Sequence, residues 1–160
     1  MRSSIALIAC LAVLALVNFS ISGKERQLAE GAVVYLELAP ADPRSLMQGD
    51  YMALRFKLAN DALPAIKSSA SVSDGRIVAL LDERSIAAFR RLDDGASLAG
   101  REVLLRYRVR NGELKFATNA FFFQEGSARR YEGARYGEFR VAPDGELLLT
   151  GLRGAQLQSL

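Results

Sequence analysis

The stretch Leu38-Ala39-Pro40-Ala41-Asp42-Pro43-Arg44-Ser45-Leu46-Met47-Gln48-Gly49-Asp50-Tyr51 gathers side chains suited to recognising another molecule. Pro40 and Pro43 stiffen the chain, and Asp42 before Pro43 favours a turn. Gly49 permits a sharp re-entry, and Asp50 can accept hydrogen bonds from neighbouring backbone N–H groups. Asp42, Arg44, Asp50 and Tyr51 would then put two acids, a guanidinium and a phenol on one stiff turn, able to grip a peptide, a glycan or a partner protein. The same residues admit an architectural reading: Arg44 pairs with Asp50 to hold the turn, and Tyr51 caps a sheet edge. A second polar set comprises Gln124, Glu125, Arg129, Arg130, Tyr131, Glu132, Arg135 and Tyr136, with Glu138 and Arg140 beyond. It could meet lipid headgroups or a partner, or simply form a solvated helix face.

Hydrolytic chemistry can be written in two ways. Asp42, Asp50, Glu125 and Glu132 could supply a carboxylate pair for glycoside hydrolysis. Ser45 with Lys67 could form a Ser/Lys peptidase dyad, since signal-peptidase-like proteins also join an N-terminal anchor to a β domain with a Gly-Asp turn. The Ser-Met-x-Pro expected around such a serine is missing. Other chemistries are nearly excluded, because the chain has no His and its single Cys is Cys10, inside an apolar run. That removes most zinc, copper and haem ligation, Ser-His-Asp and Cys-His nucleophiles, and intradomain disulfides. No cofactor or metal is expected. Nucleic acid is not an expected partner either: 21 basic and 18 acidic residues are interleaved, with a net charge of only +3.

These residues need positioning elements, and the first is apolar. From Ile5 to Ser22 no residue is charged, and a helix of about 18 residues rises about 27 Å, close to a bilayer's hydrocarbon core. A cleaved signal peptide fits the basic start at Arg2, the apolar core Ile5 to Val17 and the small-x-small triplet Ser20-Ile21-Ser22 before Gly23. An uncleaved anchor fits the full run through Ile21 and is preferred. The lipoprotein-like box Leu7-Ile8-Ala9-Cys10 lies too early to work as one. Arg2 favours a cytoplasmic N-terminus with the domain outside, although Lys24 and Arg26 flank the other end.

Beyond Gly23 the texture changes from apolar to alternating. Residues 1–23 read as the signal anchor or signal peptide, 24–31 as a polar connector or short helical extension, and 32–160 as a β domain. Asp74-Gly75, Asp94-Gly95, Asn111-Gly112 and Asp144-Gly145 mark tight turns between strand-like runs. In Glu102 to Phe116, Val103, Leu105, Tyr107 and Val109 share a face; a turn at Asn111-Gly112 would set Arg110 against Glu113, Val109 against Leu114 and Tyr107 against Phe116. Further strands are expected at Ala32–Leu38, Asp50–Leu58, Arg76–Asp82, Ile86–Leu92, Asn119–Gln124, Gly137–Ala142 and Glu146–Leu152. Arg76–Asp82 reads as buried on both faces. In Asp50–Leu58, Met52, Leu54 and Phe56 point inward, and Tyr51 and Arg55 take the other face. The turn at Asp144-Gly145 reads as a hairpin with a bulge, Pro143 standing just before it. Short helices are expected at Asp61–Ser69, weakened by Pro64, and Ser127–Arg135, weakened by Gly133. The fold class is therefore mostly β: an antiparallel sandwich or partly open barrel of eight or nine strands with one or two short helices, preceded by one N-terminal transmembrane or signal helix.

Gly49-Asp50-Tyr51-Met52-Ala53-Leu54-Arg55-Phe56 resembles the signature of the bacterial GDYXXLXY family. Gly, Asp, Tyr and Leu stand at the family's spacings; Phe56 replaces the final Tyr, keeping the ring and losing the hydroxyl. Asn119-Ala120-Phe121-Phe122-Phe123-Gln124-Glu125-Gly126 is similar to the family's aromatic strand ending in Glu-Gly, and the glycine-turned C-terminal hairpin is similar too. The resemblance implies a membrane-anchored, envelope-facing domain, encoded in some genomes beside larger multi-spanning membrane proteins, and it carries no catalytic mechanism. The expectation is a non-catalytic, single-pass protein of the bacterial inner membrane with its domain in the periplasm or extracytoplasmic space. It would hold the lipid bilayer through its helix and bind or stabilise a membrane-protein partner or envelope component, a multi-spanning membrane protein being the candidate. The contact expected is Asp42, Arg44, Gly49, Asp50 and Tyr51; a Ser/Lys or carboxylate-pair hydrolase is the alternative.

Overall fold

An uncharged apolar run can satisfy its backbone without water only as a helix. In the computed structural model α1 spans Arg2–Glu30 without a break, and residues 2–39, 47–48, 51–69, 74–118 and 120–160 are described. The stretch Leu7–Glu30 is long and apolar enough to cross a membrane, and its apolar window buries none of itself in the protein. Phe19, for example, is 84% exposed. Residues 24–30 thus form the helical extension, not a separate connector.

The extension is moored. Gln27, only 7% exposed, donates both protons of its side-chain amide to the β domain, to Arg140 O at 3.1 Å and Glu146 O at 2.8 Å. Lys24 Nζ pairs with Glu146 Oε1 at 2.7 Å, and Arg140 Nη1 donates to Gly31 O at 3.1 Å. Gly31 lets the chain leave the helix against the sheet: a Cβ there would meet the Gln27 carbonyl oxygen and come within 3.2 Å of Arg140 Cβ.

The strands follow as β1 (Ala32–Glu37), β2 (Met47–Gln48), β3 (Tyr51–Ala53), β4 (Gly75–Leu81), β5 (Ala87–Leu92), β6 (Glu102–Arg110), β7 (Glu113–Phe116), β8 (Ala120–Phe122), β9 (Tyr136–Val141) and β10 (Leu147–Arg153), with α2 (Lys57–Ser68) after β3 and α3 (Ala128–Tyr131) after β8. Among the described residues they form three antiparallel sheets, β1-β9-β10, β2-β3-β8 and β5-β4-β6-β7. The sheets close on one core in which Val34, Leu36, Phe56, Ile66, Ile77, Leu105, Phe116 and Phe139 are buried. The mostly β, antiparallel class expected from alternation is the one observed.

The Asn111-Gly112 hairpin has the expected register, Arg110 opposite Glu113, Val109 opposite Leu114 and Tyr107 opposite Phe116. Both turn residues take positive φ, 55° and 74°, which matches the turn to the strand twist. Asp74-Gly75 is not a hairpin turn: Gly75 begins β4 opposite Tyr107, where a Cβ would come within 2.8 Å of the tyrosine hydroxyl. β4 is buried on both faces only at its centre, Ile77, Val78 and Ala79, and Leu80 is exposed. The bulge in the last hairpin falls between Leu149 and Gly151, away from Pro143.

Several expected elements change length; the helix expected at Asp61–Ser69 begins earlier, at Lys57, and the strand expected at Asn119–Gln124 is described as Ala120–Phe122. The strand read as Asp50–Leu58 is described only as Tyr51–Ala53, because Lys57 and Leu58 start α2. Helical spacing buries Leu58, Ala59, Ala62 and Ile66 on one face of that helix, while Pro64 sits on its exposed side. The other helix shrinks to Ala128–Tyr131, as expected of a segment with no buried face of its own.

Candidate functional site

The motif strand obeys the period of two. Met52, Leu54 and Phe56 are buried, with Tyr51 half-buried and Arg55 exposed on the other face. Phe56 packs edge-on against Phe139, centroids 5.5 Å apart, and against Phe116 at 6.4 Å. A ring without a hydroxyl suits this apolar nest, because a buried phenol oxygen would need a hydrogen-bond partner. The base of the proline-bounded stretch is also fixed: Leu38 bridges Phe56, and Ala39 N donates to Arg55 O at 2.8 Å.

Of the predicted contact residues, Tyr51 is placed by the structure. Asp42, Arg44, Gly49 and Asp50 lie outside the described residues, as does Ser45. Lys67 is exposed on α2, and Glu125 and Glu132 are exposed beside α3.

Around Tyr51 the small sheet arranges five rings. β3 pairs with β8 so that Tyr51 lies opposite Phe122 and Met52 opposite Phe121. Three consecutive phenylalanines on an extended chain must alternate. Phe121 and Phe123 both meet Tyr131, at 5.0 Å edge-on and 5.3 Å stacked, and the Arg130 guanidinium lies over that ring at 5.9 Å. Phe122 turns the other way, tilts against Tyr51 at 5.7 Å and is 74% exposed. Sequence reasoning named the aromatic strand without singling out Phe122, although period-two alternation held the signal. The surface is therefore an aromatic pair, one phenol and one bare phenyl, contributed by the motif strand and the aromatic strand together.

The second polar set divides. Tyr131 belongs to the aromatic cluster, while Arg129 and Arg135 are exposed. Glu138 is a structural acid: its side chain is 12% exposed, accepting from Arg153 Nε at 2.5 Å and Thr150 Oγ1 at 3.0 Å. Burial pushes its pKa up, but the bonds from Arg153 and Thr150 outweigh burial and hold it below the ordinary value. Asp74, about half exposed, is also lowered, by its hydrogen bond from Arg110 first and by Val109 N–H next.

Chemically, such a ring pair can bury apolar area with few rotatable bonds to order. A family model described as GDYXXLXY protein matches residues 13–152, taking in most of the apolar helix, the motif, the aromatic strand and the C-terminal hairpin. No curated protein and no solved structure matches the chain.

Proposed function

The chain belongs to the GDYXXLXY family, and from that premise we propose that it is a non-catalytic, single-pass membrane protein whose domain binds a membrane-protein partner outside the cytoplasm. One observation carries the reading: the motif strand and the aromatic strand pair to hold Phe122 out in water, 74% exposed, against Tyr51. An exposed phenyl forgoes about 2 kcal/mol of burial, and aromatic side chains are enriched where one protein meets another. The bare apolar helix α1 supports retention in the inner membrane, and its mooring through Gln27 supports an anchor that stays on the domain after export. The Pro-bounded turn with Asp42, Arg44, Gly49 and Asp50 leads into Tyr51 in sequence and completes the proposed contact.

The test is site-specific photo-crosslinking in the native membrane, with the photoreactive residue at Phe122 or, as control, at the exposed Arg90 of β5. A discrete adduct with a membrane protein from position 122 and none from position 90 is the expected result. Adducts from neither position, or the same adducts from both, would remove the contact. Phe122→Ser should lose the adduct's partner in a pull-down while lowering stability by no more than about 1 kcal/mol, the value of one exposed aromatic pair.

A further inference from the structure

Where α1 meets the domain there is a cavity of about 410 Å³ lined by Lys24, Arg106, Arg108, Glu146 and the run Leu147 to Leu149. We propose that it holds the phosphate headgroup of one anionic phospholipid; the proposal rests on the reading of α1 as a membrane anchor.

Three observations place that ligand there. The first is height. Ile21 ends the apolar run, and Lys24 lies three residues on, about 4.5 Å further along the helix axis. Lys24, which lines the cavity, thus stands at the height where headgroups begin. The mooring fixes that height, since Gln27 ties the helix to Glu146, which itself lines the cavity. The second is charge. Lys24 pairs with Glu146, and Arg106 reaches Asp144 at 2.9 Å. Arg108 donates only to the Ala117 carbonyl, at 2.8 Å, and has no carboxylate within ion-pair distance among the described residues. With both pairs counted, three cations stand against two carboxylates, and Arg108 supplies the excess positive charge. Arg106 and Arg108 sit two apart on β6 and share its polar face, about 7 Å apart, a spacing at which both can reach one phosphate. Guanidinium groups match phosphate oxygens in geometry as well as in charge. The third is the apolar part of the lining: Leu148 and Leu149, both half-buried, line the same cavity as the cations. A free inorganic anion has no use for leucines, whereas the glycerol and upper acyl carbons of a lipid do.

The experiment uses the full chain, first in membranes and then in nanodiscs. Carbonate extraction reports the anchor: if the protein leaves the membrane, the anchor reading and this site both fail. If it stays, nanodiscs of phosphatidylglycerol with phosphatidylcholine, or of phosphatidylcholine alone, are released into native mass spectrometry. The wild type should carry one phosphatidylglycerol and no phosphatidylcholine. Arg106→Gln/Arg108→Gln should lower that occupancy about tenfold; Arg108→Gln alone, which loses only one surface hydrogen bond, should lower it too while circular dichroism stays native. Arg84→Gln/Arg90→Gln, with the same charge change on exposed residues elsewhere, should leave it unaltered. No retained lipid, equal retention in the cavity variants, or equal loss in the control pair would overturn the site while leaving the anchor standing. Displacement by excess inorganic phosphate would also overturn it, by showing an anion site that ignores the lipid.

Discussion

Replacing Gln27 by alanine tests whether anchor and domain move as one body. The substitution deletes the donor of two hydrogen bonds, to Arg140 O and Glu146 O, each worth about 1 kcal/mol net. What remains is the Lys24–Glu146 pair, half-exposed on both sides and worth about 0.5 kcal/mol, and the Arg140 bond to Gly31 O, worth about 1 kcal/mol. A mooring of about 3.5 kcal/mol therefore falls to about 1.5 kcal/mol, and the frayed population of the last helical turn rises about thirtyfold. Hydrogen exchange at the amides of residues 28–31 in micelles reads that population, because the last turn of a helix frays unless something holds it. Protection there should drop about thirtyfold while β6 and β9 keep theirs. Gln27→Leu keeps most of the volume and none of the donors, so it should exchange like the alanine variant. Wild-type exchange in Gln27→Ala, or protection restored by leucine, would refute the hydrogen-bond argument.

Gly145→Ala should lower stability by about 3 kcal/mol. The residue holds φ +87°, and a Cβ would stand 3.2 Å from Arg106 N and Leu104 O; positive φ costs about 1–2 kcal/mol and crowding adds about 1–3 kcal/mol. Urea unfolding checks this through a lower midpoint at unchanged slope. Acid titration of stability tests Glu138. A carboxylate whose folded pKa lies below its ordinary 4.5 contributes stability above that value and loses it as pH falls through the folded one. Unfolding midpoints should therefore decline on acidification below pH 4.5, and Glu138→Gln should flatten that decline. A smaller slope should persist from Asp74 and Asp94, whose pKa values are also lowered.

Features set by local rules were legible in the sequence. The β6–β7 register follows from Asn111-Gly112 and two coincident apolar faces, and the inward set Met52, Leu54 and Phe56 follows from alternation alone. The length of the motif strand was not legible. Lys57 and Leu58 suit a strand as well as a helix, and only the face Leu58, Ala59, Ala62 and Ile66, buried in α2, decides for the helix. Pro64 did not prevent the helix expected there, because a proline on the solvent side removes one backbone bond without disturbing the buried stripe. Gly75 reads as a turn residue from Asp74-Gly75, yet its small size serves the Tyr107 ring across the sheet, a neighbour that no local pattern names.

The mooring was the least legible feature, for a reason that bears on function. Gln27 finds its acceptors more than a hundred positions away, and both are backbone carbonyls, at Arg140 and Glu146. Carbonyls leave no mark on residue identity, so no pattern in the stretch Lys24 to Glu30 could announce them. Their placement depends on the β9–β10 turn, which Gly145 seats against β6: Arg106 N donates to Gly145 O at 2.8 Å. One line of contacts therefore runs from the helix to the turn and on to Arg106, which lines the cavity. If that line holds, disturbing the turn at Gly145 must loosen the helix foot as well as the fold. Exchange at residues 28–31 should then rise in Gly145→Ala even though Gln27 is intact, whereas in Phe122→Ser, which changes the outer face of the motif sheet, it should stay at the wild-type rate.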